Sequence, residues 1–186
     1  LEEIVIGNSN IKKISPYSFN NLISLKKVIF ENSSSISYIS SYMFNGCISL
    51  IEIKIPSSIK SIRNYAFNEC KSIKKIEIPS SVISIGQGAF SDCVSLENVI
   101  INASIKKINP FTFKNCKALK FVSIPNSVVE IYSYAFYDCT SIEQLIFPSS
   151  LTTIKSRAFE NCSSLKELSL PSSITNVGRN ICMGCT

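Results

Sequence analysis

Apolar residues recur at fixed offsets along this chain, with a 23-residue period that runs from end to end. Counted from its leucine or isoleucine, the unit reads L-x-x-I-x-I-P-x-S-I-x-x-I-x-x-x-A-F-x-x-C-x-S. The starts Leu50, Ile73, Leu96, Leu119, Ile142 and Leu165 are evenly spaced, and the first two units, from Leu1 and Leu25, run 24 and 25 residues through small insertions in their turns. The chain thus divides into about eight units, 1–24, 25–49, 50–72, 73–95, 96–118, 119–141, 142–164 and 165–186. A fixed short period is the signature of a solenoid, in which each unit buries its apolar face only against its neighbours. One continuous body over 1–186 is therefore expected. Leu1 opens in mid-pattern, Thr186 closes one residue short of a unit, and neither end carries a polar capping unit, so the chain reads as a segment of a longer protein.

Within a unit, positions four and six are apolar throughout, whereas position five is polar in half of the units, as in Ile53, Lys54 and Ile55. That alternation predicts a strand with one face buried. Proline at position seven (Pro56, Pro79, Pro125, Pro148, Pro171) has no N–H to continue a ladder and ends the strand. Serine at position nine can satisfy turn backbone groups with its hydroxyl. Apolar residues at positions ten and thirteen, such as Ile59 and Ile62, turn a second side inward, and their spacing suits either a short extended piece or a 3₁₀ piece. The third side, Ala-Phe-x-x-Cys, places Phe and Cys on one face of a helical turn. The phenylalanines Phe19, Phe44, Phe67, Phe90, Phe113, Phe136 and Phe159 are expected to stack as a buried spine.

Eight cysteines in 186 residues invite a disulfide reading. Seven of them, Cys47, Cys70, Cys93, Cys116, Cys139, Cys162 and Cys185, occupy one repeat position, where the first unit has Leu22. A slot that accepts leucine asks for a small buried hydrophobe, so free thiols are expected. Cys182-Met183-Gly184-Cys185 is a lone C-x-x-C in a chain without histidine, short of the four ligands of a zinc site, and no metal or cofactor is expected. No apolar run is long enough to span a membrane.

The formal charge is +6, from 19 basic and 13 acidic residues. The clusters Lys71, Lys74, Lys75 and Lys114, Lys117, Lys120 are possible anion sites. Acids such as Glu69, Glu77, Asp92 and Glu97 are interleaved with them, and no nucleic-acid motif accompanies them, so a nucleic-acid partner is not expected. Strand positions three and five point away from the core. Most of these residues are polar, yet Ile100, Phe121 and Ile146, from three successive units, would form an exposed apolar patch beside charged rungs that include Lys54 and Lys75. Exposed apolar clusters mark binding surfaces, and these five residues are the candidate partner site; the competing reading is ordinary β-propensity. A second aromatic stripe, Tyr17, Tyr42, Tyr65, Phe111 and Tyr134, is interrupted by Gly88 and ended by Arg157. It reads as a binding platform or, on the structural side, as rings that stack to shield the coil. Asn32, Asn102 and Asn161 open N-glycosylation acceptor patterns.

The full motif, with its Ala-Phe-x-x-Cys and Ile-Pro-Ser-Ser segments (Ile55 to Ser58, Ile78 to Ser81), closely resembles the BspA-like leucine-rich repeat, or treponemal type, over essentially the whole chain. The resemblance implies a leucine-rich repeat solenoid of α/β-type repeats in a right-handed coil, with a concave parallel β-sheet and short extended, 3₁₀ or helical turns elsewhere. It also implies a cell-surface or extracellular adhesin or antigen that binds a host-surface or matrix protein, with a glycan as a further possible partner. The alternative is a cytoplasmic scaffold for a protein partner. Departures are local: Gly7, Glu31 and Asn102 replace the proline, and Ile181-Cys182 replaces Ala-Phe. An enzyme is not expected, because no acid, base and nucleophile converge and no phosphate-cradling loop is present.

Overall fold

A computed structural model describes residues 1–7, 11–31 and 35–185. It shows a parallel β-solenoid of about seven turns. Its strands, in chain order, are β1 (Glu3–Ile6), β2 (Lys27–Phe30), β3 (Tyr38–Ile39), β4 (Glu52–Ile53), β5 (Ser61–Ile62), β6 (Lys75–Ile78), β7 (Ser84–Ile85), β8 (Asn98–Ile101), β9 (Lys107–Ile108), β10 (Phe121–Val122), β11 (Glu130–Ile131), β12 (Thr153–Ile154) and β13 (Asn176–Val177). They sort onto two sides of the coil. On the first, β1-β2-β4 and β6-β8-β10 form parallel sheets, and a parallel bridge from Gln144 to Glu167 continues the column. On the second, β3-β5-β7 and β9-β11-β12-β13 do the same. The positions ten-to-thirteen piece is therefore extended, not 3₁₀.

Pairing is between equivalent repeat positions, as in Ile76 beside Val99 and Ile62 beside Ile85. A slip of one residue would turn every buried isoleucine and valine of a strand outward, so the hydrophobic pattern sets the register. Where proline is missing, its replacement joins the ladder: Glu31 and Asn102 donate their N–H to the carbonyls of Ile6 (3.1 Å) and Ile78 (2.9 Å). Four of the position-nine serines bond between turns: Ser81, Ser127, Ser150 and Ser173 donate to the carbonyls of Ile59, Ile105, Val128 and Leu151.

The third side departs from the helical turn expected of Ala-Phe-x-x-Cys. Among the described residues there is no helix; the segment is a run of tight turns. Alternate residues bond in different directions. Tyr42, Phe44 and Gly46 donate to Asn64, Ala66 and Asn68 of the next turn (3.0, 2.9 and 2.8 Å), whereas Met43, Asn45 and Cys47 donate three residues back, each at 3.2 Å. The neighbouring turn thus takes every second N–H, which an α-helix would have spent on its own i−4 carbonyl. Left-handed residues at two positions of each turn, for example Tyr65 (φ 55°) and Glu69 (φ 58°), also interrupt right-handed helical geometry. Phe and Cys nonetheless share the inward face.

The spine forms as expected. From Phe44 to Phe159 each ring is fully buried, and from Phe19 onward successive centroids lie 5.4–5.8 Å apart in stacked geometry. All eight cysteines are free thiols, six of them buried. Each ladder thiol also has a bonding role that the leucine in the first unit does not reveal: its Sγ–H donates to the phenylalanine carbonyl of the preceding turn. Cys70, Cys93, Cys116 and Cys139 reach Phe44, Phe67, Phe90 and Phe113 at 3.0–3.2 Å. Each of these carbonyls also accepts a backbone N–H from its own turn, as Phe44 does from Cys47 at 3.2 Å, so the thiol occupies the second lone pair and finds an acceptor for its own weak donor inside the coil.

Candidate functional site

Alternation along the first ladder sends positions four and six inward and three and five outward. The outward face carries cross-strand ion pairs at its rungs, Lys27 with Glu52 at 3.3 Å, Lys26 with Glu2 at 3.0 Å and Lys120 with Glu97 at 3.5 Å. All are solvent-exposed and contribute little to stability. Of the lysine clusters singled out in the sequence, Lys71 and Lys117 likewise pair with acids, Glu69 and Asp138. Phe121 is 51% exposed and Ile146 76% exposed on this face. Ile100 shares the face but is half-buried, so the patch is anchored by two side chains rather than three. Phe121 pairs in register with Asn98, whose strand β8 also carries Ile100.

Lys54 and Lys75 lie elsewhere on the same ladder, where both line a depression of about 780 Å³. Glu31, Glu77, Phe30 and Pro79 also line it. The sequence did not single out Glu31 here; its place in the proline slot of an enlarged turn was the available signal. The two lysines and two glutamates give the depression no net charge.

The aromatic stripe is brought together, with a break where glycine stands. Tyr17, Tyr42 and Tyr65 stack at 4.7 and 5.0 Å, and Phe111 and Tyr134 stack at 5.4 Å. Arg157 closes the row over Tyr134, 5.9 Å from its ring centre, donating to its hydroxyl at 3.2 Å. Every stripe residue is left-handed (φ 55–62°), a backbone state that Gly88 adopts freely and aromatic residues do not. A side chain at Gly88 would run into the Tyr65 ring, which lies over it. Because ring faces are consumed by stacking, the stripe offers a partner mainly edges and hydroxyls. We therefore expect Tyr65→Ala and Tyr134→Ala each to lower stability by about 1 kcal/mol, read by urea denaturation, and to leave partner affinity unchanged; weakened binding in folded variants would reverse that assignment.

Of the acceptor patterns, Asn32 lies outside the described residues. Asn102 is exposed, and its amide donates to Glu77 at 2.9 Å. Asn161 is half-buried and left-handed. Among the described residues no group of three or more metal-ligating side chains is placed to hold an ion, and no helix is long and apolar enough to cross a membrane.

Comparison with known proteins agrees with this geometry. Residues 1–120 and 84–186 match the profile of the BspA type leucine rich repeat region, in six copies. A leucine-rich repeat protein from Bacteroides ovatus is 32% identical with a TM-score of 0.90, over 100% of this chain and 47% of that one. The leucine rich repeat protein of T. pallidum is 29% identical with a TM-score of 0.67, over 98% and 76%. A leucine rich cell surface protein from Faecalibacterium prausnitzii, 24% identical with a TM-score of 0.59 over 100% and 59%, is similar in fold alone. The chain spans about half the length of the Bacteroides ovatus protein. No curated protein sequence matches it significantly.

Proposed function

The chain belongs to the BspA-type leucine-rich repeat family, and on that premise we propose that it is a recognition segment of a cell-surface protein, holding a host-cell or extracellular-matrix protein on the outward face of its first ladder. The family and the fold are typically those of non-enzymatic scaffolds, so the work of the segment is binding. On this reading the array comprises eight units in a right-handed coil, the hand that parallel strands joined by crossovers almost always take, with the first ladder on its concave side.

One observation carries the proposal: Phe121 and Ile146 stand exposed on a ladder whose other outward rungs are mostly charged or polar. A buried aromatic anchor framed by polar groups is the usual centre of a protein interface. Lys54 and Lys75 flank the depression further along the same face, where they would meet acidic groups of a large partner and speed encounter.

Antibody raised to this segment, applied to intact and permeabilised cells of the source organism, tests the location. Staining of intact cells is the expected outcome; signal only after permeabilisation would remove the surface reading in favour of a cytosolic scaffold. Given surface staining, immobilised matrix proteins should capture the chain, and Phe121→Ala should weaken capture by more than about tenfold. Unchanged capture by Phe121→Ala and Ile146→Ser would move the interface off this face.

A further inference from the structure

Sorted by repeat position, the charge of this chain is distributed unevenly around the coil. The first ladder's segment, at positions two, three and five, carries seven basic and seven acidic residues. The second ladder's segment, at positions eleven to fifteen, carries eight basic residues and one acid, a net +7, and the remaining positions sum to −1, which together give the chain's +6. The net positive charge of the chain therefore lies on one side. Lys12 and Lys13 lie there in the first unit, Lys60 and Arg63 in the third, Lys106 and Lys107 in the fifth, all exposed, and Lys155 and Arg179 continue the row. Among the described residues the one ion pair in this row is Lys107 with Glu130 at 3.2 Å, a carboxylate whose field Lys155 also feels. We propose that the outward face of the second ladder binds a linear sulfated polysaccharide lying along the solenoid axis.

Three features favour that ligand over other polyanions. The cationic rungs fall on alternate units, about 10 Å apart at the usual strand spacing. That is wider than the roughly 3.4 Å of duplex axis per phosphate of one DNA strand, and it suits a chain carrying its charge on bulky units such as sugar rings. Next, the aromatic rings on this face are already occupied. The Arg63 guanidinium lies 3.7 Å from the Tyr38 ring centre, and Lys107 and Lys155 stand 5.3 and 5.9 Å from that of Tyr132. Bases need open ring faces on which to stack; here the rings orient the cations instead. Lastly, the floor between the rungs is rich in hydroxyl and amide groups. Ser61, Ser84, Asn64 and Asn109 line a groove of about 230 Å³ around Gly86, where an added Cβ would come within 2.5 Å of the Asn64 nitrogen. Ser156, Thr175 and Asn176 line a second groove of about 450 Å³ around Gly178. Glycine at those two places keeps the floor open, and its polar walls match sugar hydroxyls.

Heparin, titrated into the chain by fluorescence anisotropy, tests the proposal. We expect binding that weakens at least about tenfold between low salt and physiological ionic strength, as screening of exposed charges requires. The double variant K60Q/K106Q should lose at least about tenfold in affinity with its circular dichroism unchanged, whereas K54Q/K75Q on the first ladder and Phe121→Ala should bind as before. Desulfated heparin should not bind. Absence of heparin binding at low salt, an equal loss in the first-ladder variant, or tighter binding of a single-stranded oligonucleotide or of anionic vesicles would each overturn the assignment. Because Phe121→Ala is silent in this assay, its failure would leave the first-ladder interface standing.

Discussion

Raising the pH above about 9 should unfold this chain cooperatively, with a loss of about 8 kcal/mol per pH unit once the thiols of the unfolded chain ionise. Burial is the cause. It pushes the thiols of Cys93 and Cys162 up to about 12 and that of Cys47 up to about 11, and it holds Cys70, Cys116 and Cys139 well above the ordinary thiol range. In the unfolded chain the same six groups titrate near pH 9. Below that pH both states hold the protons, and the stability these thiols confer is fully present. Above it the unfolded state binds fewer protons than the folded one, so stability falls as pH rises towards the folded values of about 11 to 12. A domain typically holds only about 5–15 kcal/mol of stability, so the transition should fall near pH 10. Circular dichroism across this range reads it. Replacing Cys70, Cys116 and Cys139 by alanine should halve the slope. A signal unchanged up to about pH 11 would show that the thiols are not buried as a ladder.

Truncating Phe113 to alanine should cost about 3–5 kcal/mol in urea denaturation. Its ring is fully buried and lies 5.8 Å from that of Phe90 and 5.4 Å from that of Phe136, so removal opens a cavity between two turns that cannot both move into it. In a quasi-one-dimensional array each unit is supported only by its neighbours, and a gap in the middle uncouples two halves. Phe19→Ala, at a half-buried ring with one stacking neighbour, should cost clearly less. Phe113→Leu, which restores most of the volume, should recover most of the loss. A cost below about 1 kcal/mol for Phe113→Ala would mean that the spine is not the principal support of the coil.

Much of this architecture was legible because a repeat states each environment several times. Seven aligned cysteines and a leucine in the same slot defined it as apolar and interior, and the alternation around Lys54 and Glu77 assigned an outward face. The candidate site was legible in part. Positions three and five named Phe121 and Ile146, but the half-burial of Ile100 and the depression lined by Lys54 and Lys75 depend on how neighbouring turns lean together. The cationic side was present in the sequence but hidden in linear order, since its successive rungs lie 24 or more residues apart and meet only at equivalent repeat positions.

The sequence by itself thus determined the period, the family, the buried positions and the ends of the strands, all of which follow from side-chain type at fixed spacing. The backbone of the third side was decided only by the tertiary structure. Phe and Cys three apart satisfy a helical turn and a stacked tight turn equally well, because both place them on one face. What separates the two is where every second N–H finds its acceptor, and Phe44 finds it at 2.9 Å on Ala66 of the next turn. That acceptor exists only once the coil has closed.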